Sequence, residues 1–202
     1  MSETYSLGLC LLDFVPNLAF LVGAYFLVRW VRLTSNRLSV VAMIAGSFLV
    51  FLGGTLKAIW KLLYTIGIGD FWLLSELQFI LLAPGFLAML ASVLLVLKQE
   101  RKSWKPDLLA MAPWKIPLLA TMTLGSLGLQ GILSYMAFRR KAYLAATMYI
   151  VAILCMLGLA GLAGGEQSIA RQWIEEGINA TGQIAFALGS YLLYSRAEMV
   201  WD

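Results

Sequence analysis

Apolar residues run along this chain in long blocks closed by charges or turn residues, instead of alternating with polar ones as a half-buried strand requires. The blocks cover residues 7–31, 38–56, 71–97, 116–138, 143–163 and 178–194. As a helix, each is long enough to cross a hydrocarbon layer of ~30 Å. The pattern predicts an all-α integral membrane protein, a six-transmembrane-helix bundle. Gly53-Gly54 and Gly164-Gly165 mark where the second and fifth blocks turn polar. KQERKSWKPD, followed by Pro113 and Pro117, is the one substantial hydrophilic connection. It divides a single membrane domain, 1–202, into a first three-helix half (1–97), a basic Pro-containing connection (98–115) and a second three-helix half (116–202).

Landmarks recur in the same order in the two halves. VPNLAFLVGAYFL and IPLLATMTLGSLG both open near a proline, and each half then passes a basic turn (Arg29, Arg32, Arg37; Arg139, Arg140, Lys141) to a helix ending in Gly-Gly. Trp60 or Trp173 follows, then Gln78 or Gln183. The spacings differ, since Gly54 to Trp60 is 6 residues and Gly165 to Trp173 is 8, so chance similarity of apolar helices competes with duplication. With three helices per unit, alternating crossings bring the second copy in from the opposite face, which predicts an inverted repeat of the kind common among small transporters. The same alternation puts both termini on one side. Nine Lys and Arg residues then fall on the opposite face and six on the terminal face, which makes the terminal side non-cytoplasmic, with the Arg139-Arg140-Lys141 cluster opposing that orientation.

Composition strengthens the membrane reading. The chain is 61% hydrophobic and 13% charged, against roughly 25% charged residues in soluble domains. The N-terminus lacks a basic n-region and reads as a retained first helix. Cys10 and Cys155 lie inside apolar blocks, where packing thiols are expected. The net charge of +4 gathers beside helix ends, where orientation and lipid headgroups account for it without nucleic acid. No histidine occurs, which removes Ser-His triads, imidazole-bound zinc and haem held by histidine. No phosphate-cradling glycine loop or clustered carboxylate set is present, so no metal and no cofactor is expected.

Candidate chemistry centres on LGGTLKAIWKLLYTIGIGDFWLLSELQ. Lys57 and Lys61 share a helix face, as do Trp60 and Tyr64. One reading has the lysines snorkelling to headgroups beside an aromatic belt, with Asp70 in the turn. The other pairs a lysine with Glu76 or Asp70, because a charge within the bilayer needs a partner. Asp13, in LLDFVPN, joins the second reading: Pro16 removes a backbone donor there and frees a carbonyl for water or a ligand. The alternative starts the first helix at Val15 and leaves Asp13 as its N-terminal charge. The expected ligand- or ion-binding set is Asp13, Asn17, Lys57, Lys61, Glu76, Gln78 and Gln183. Across the membrane, Glu166, Arg171, Glu175 and Glu176 read as the solvated face of an interfacial helix. Asn179 and Gln130 read as interhelical glue, and LGSLGLQG with LGLAGLAGG as close packing between the fourth and fifth helices or with a second copy.

These features favour a small transporter or channel for a solute or ion. A non-catalytic membrane subunit, with lipids, a second copy or a larger membrane complex as partners, is the alternative, and a carboxylate-based lipid- or isoprenoid-handling enzyme the third.

Overall fold

A computed structural model describes residues 6–100, 116–162 and 168–201. The described residues fold as helices: α1 (Leu7–Leu12), α2 (Phe14–Thr34), α3 (Arg37–Thr65), α4 (Trp72–Glu100), α5 (Ile116–Arg139), α6 (Tyr143–Leu162) and α7 (Ile169–Trp201). Four helical stretches are long and apolar enough to cross a membrane, namely Leu7–Thr34, Arg37–Thr65, Trp72–Lys98 and Tyr143–Leu162, as a multi-pass membrane protein requires. Neither the expected fourth span nor the expected sixth is among these four; the first turns of α7 carry Arg171, Glu175, Glu176, Asn179 and Gln183.

Helices outrun their apolar blocks. The second was expected to end at Gly53-Gly54, yet α3 continues to Thr65, where the chain turns through Gly67 at φ +76, a left-handed conformation only glycine adopts freely. The two glycines are instead packing positions. A Cβ on Gly53 would collide with Leu82, and one on Gly46 would lie 2.6 Å from the Gly85 carbonyl oxygen, so α3 and α4 cross in near backbone contact. Ser92 Oγ, fully buried, donates to the Ser39 carbonyl at 2.7 Å and fastens the far end of this pair.

Neighbouring helices form a closed ring, α2-α3-α4-α5-α6-α7 and back to α2. Their directions lend no support to the expected inverted repeat. Phe20 stacks on Phe186 at 5.6 Å, Phe26 meets Tyr191 at 4.9 Å, and Arg29 Nη2 donates to Tyr194 at 2.8 Å, so α7 runs parallel to α2. A Cβ on Gly125 would meet Phe86 and one on Gly128 would meet Leu90, so α5 runs parallel to α4. The small residues of α5 thus serve α4 rather than the α5–α6 contact expected for them. Against these, α3 and α6 run the other way: Ser134 donates to the Ala146 carbonyl, and Tyr149 bonds Ser190. The described helices of the second half therefore repeat the directions of the first. Leu7 and Trp201 lie at opposite ends of the bundle. Residues 101–115 and Gly164-Gly165 lie outside the described set.

At one end, Leu27, Trp30, Met43, Met89, Val93, Leu133, Met136 and Leu193 fill the ring with an uninterrupted core. Arg29, Arg140 and the Arg29–Tyr194–Glu198 chain sit over it. The other end is hollow.

Candidate functional site

The hollow end begins where the first helix breaks. Pro16 cannot donate to the Leu12 carbonyl, and the helix is interrupted at Asp13, between α1 and α2. Asn17 Nδ2 donates to the Asp13 carbonyl at 2.9 Å and satisfies part of the disturbed turn. Asp13 makes no side-chain cap to α2. Its carboxylate is turned toward α3, where Oδ2 lies 2.8 Å from Lys61 Nζ. Glu176 Oε1 reaches the same ammonium from α7 at 3.3 Å. Only 7% of the Asp13 and Lys61 side chains and 15% of Glu176 are exposed. Three elements distant in sequence thus bury two acids around one base.

Beside this cluster a cavity of about 330 Å³ opens between the helices. Its polar wall comprises Asp13 and Asn17 from the first helix, Lys57 from α3, Gln78 from α4, Thr123 and Ser126 from α5, and Glu175, Glu176, Asn179 and Gln183 from α7. Phe20, Val50, Leu82, Phe86, Met122, Met156 and Leu159 supply the apolar wall. Gly54 has no side chain because Asn17 occupies the space a Cβ would take. Deeper, a pocket of about 60 Å³ continues past Ser126 to Gln130, whose Nε2 donates to Ser126 Oγ at 3.2 Å. Phe20, packed edge-on to Phe86 at 6.5 Å and stacked on Phe186, closes the floor.

Of the residues singled out in the sequence, Asp13, Asn17, Lys57, Gln78 and Gln183 line this cavity, and Lys61 lies behind its wall in the ion cluster. Glu76 does not line it. Lys61 is bonded to Asp13 and Glu176. Asp70 instead accepts from Trp60 Nε1 at 2.9 Å, and Trp60 stacks on Tyr64 at 6.1 Å as the aromatic belt at the helix end.

Glu176 was read as part of a solvated face across the membrane from Lys61; it is largely buried and bonded to Lys61. Its neighbour Glu175, partly buried on the cavity wall, accepts from Arg171 Nε at 2.9 Å. The signal that marks Glu176 is a polar stripe, Glu176, Asn179 and Gln183, at i, i+3 and i+7 on one face of α7.

Both cysteines are free, and Cys10 packs against the cluster, its Sγ 3.0 Å from Thr65 Oγ1. Among the described residues no group of three or more His, Cys, Asp or Glu side chains converges as a metal site. The cavity volume is about ten waters at ~30 Å³ each and lies at the lower end of ordinary ligand sites. Its amides and hydroxyls offer donors and acceptors to an uncharged or zwitterionic solute, and its aromatic floor takes an apolar face. Comparison with protein-family models, with curated proteins and with solved structures returned no match.

Proposed function

We propose that this protein is a small membrane transporter that binds a small polar solute in the cavity between α2, α3, α4, α5 and α7. The carrying observation is the blind cavity: polar, some 330 Å³, open at one end of a helical ring and closed at the other by Phe20, Phe86, Phe186 and the packed core beneath them. A vestibule with a floor supports alternating access better than a continuous pore. A helix broken beside the site, at Asp13 and Pro16, is a recurring transporter feature.

In this reading all six long helices cross the bilayer. Leu124 and Phe138 on α5, and Ile184, Leu188 and Tyr191 on α7, are exposed apolar side chains that would face lipid. Arg29, Arg32, Arg37, Lys98, Arg139, Arg140, Lys141 and Arg196 belong to the closed end, against Lys57, Lys61 and Arg171 at the open one. By the positive-inside rule the closed end is cytoplasmic and the cavity opens outward.

Stopped-flow light scattering on proteoliposomes tests this without knowledge of the natural solute. Vesicles loaded with the protein and challenged with glycerol, glycine or glucose gradients should shrink and reswell faster than protein-free vesicles for at least one solute. That gain should vanish when Asn179→Leu and Gln183→Leu are combined. Kinetics identical to empty vesicles for all three solutes, or a gain untouched by the double variant, would sink the proposal.

A further inference from the structure

The ion cluster gathers two acids around one ammonium. Lys61 is bonded to both Asp13 and Glu176, which brings the two carboxylates together. Ionised carboxylates have no proton to donate, and Asp13 Oδ1 is buried without a hydrogen-bond donor. Other charges surround the cluster, among them Lys57, whose positive charge acts on Glu176 from the same cavity wall. On α7, Glu175 is bonded to Arg171; on α3, Lys57 is exposed at the cavity mouth; on α1, the Cys10 thiol lies against the Lys61 carbonyl at 3.7 Å. Glu76, on α4, lies off the cavity wall.

We propose that Asp13 and Glu176 share one exchangeable proton and form the ion-coupling site of the transport cycle, a proposal that rests on the transporter reading above. A hydronium ion in the cavity transfers its proton to one carboxylate. An O–H bond forms there, a water molecule is released, and the new acid donates its hydrogen bond to the other carboxylate, which stays ionised beside Lys61. The cluster loses one negative charge. A carboxyl–carboxylate pair that shares a proton can be enclosed as the cavity closes, whereas two ionised carboxylates side by side hold it open to water. The ligand is a proton and not a metal cation because the Lys61 ammonium, 2.8 Å from Asp13, already occupies the position between the carboxylates.

Infrared difference spectroscopy of the purified protein in lipid nanodiscs, taken between acidic and alkaline buffer in H₂O and in D₂O, reads the proton directly. The wild type should show a protonated-carboxyl carbonyl band that shifts in D₂O. The band should be lost in Asp13→Asn and in Glu176→Gln, and kept in Glu76→Gln. A wild type with no such band anywhere in its folded pH range overturns the proposal without recourse to variants, and so does a band that survives both substitutions. A preparation with solute flux and no band refutes the proton site alone; one with the band and no flux refutes the transport reading alone.

Discussion

Replacing Lys61 by methionine removes the ammonium bonded to both Asp13 and Glu176 while keeping the length of the side chain. At an effective dielectric constant of ~20, the 2.8 Å and 3.3 Å contacts correspond to attractions of ~6 and ~5 kcal/mol. Those terms do not add to a net loss, because Lys61 no longer has to be desolvated and a carboxylate left without its partner can take up a proton. Breaking a buried ion pair by removing one partner costs about 3–5 kcal/mol, and that is the destabilisation predicted for Lys61→Met. Asp13→Asn should be far milder, since it leaves one acid with one base. The triple variant Asp13→Asn, Lys61→Met, Glu176→Gln removes every charge from the cluster and should return to within about 1–2 kcal/mol of the wild type. Reversible unfolding by sodium dodecyl sulfate in mixed micelles, followed by tryptophan fluorescence, measures all three. A Lys61→Met variant within ~1 kcal/mol of the wild type, or a triple variant no more stable than that single one, would refute the reasoning.

The α3–α4 crossing predicts a contrast between glycines in the same unfolding assay. Gly46→Ala should destabilise by about 1–3 kcal/mol because its Cβ meets the Gly85 carbonyl, while Gly131→Ala, with nothing within 4 Å of its Cβ, should be neutral or stabilise by up to about 1 kcal/mol. Equal effects at the two positions would count against the close crossing. Ser92→Ala is predicted to lose about 1 kcal/mol, the net worth of its buried bond to Ser39, and no loss would show that the bond is replaceable. Phe20→Ala should open the cavity floor and let proteoliposomes leak glycerol without a gradient-coupled driver, whereas vesicles as tight as those with wild-type protein would place the seal elsewhere.

Legibility in the sequence follows what each segment's composition can encode. The apolar blocks reveal α2, α4 and α6 closely, since lipid-facing and core-facing positions are both apolar and the helix ends are charged. They understate α3 and α7, where the helix runs on through Lys57, Lys61, Glu175 and Glu176, because two of those charges find partners inside the bundle. Asp13, Asn17 and Gln78 stand out as polar residues in apolar surroundings. Glu176 does not, because an acidic pair beside an arginine has the composition of a wet surface, and only the one-face spacing with Asn179 and Gln183 separates it. Helix direction is the property composition carries least. Nothing in residues 116–138 states which end enters first, so strict alternation was assumed, and the packing of Gly125 and Gly128 along Phe86 and Leu90 shows the opposite sense.

The order in which the cluster's members are made gives it a history during synthesis. Asp13 and Lys61 are both present once α3 has emerged, and together they form a neutral couple that a bilayer tolerates. Glu176 arrives only with α7 and brings the second acid to the same ammonium. A nascent chain therefore inserts its first half uncharged at the interior, and the site becomes responsive to protons only when the ring closes. A fragment ending at residue 100 is accordingly expected to integrate into microsomal membranes as efficiently with Asp13–Lys61 intact as with both neutralised. It should integrate poorly when Lys61 alone is removed.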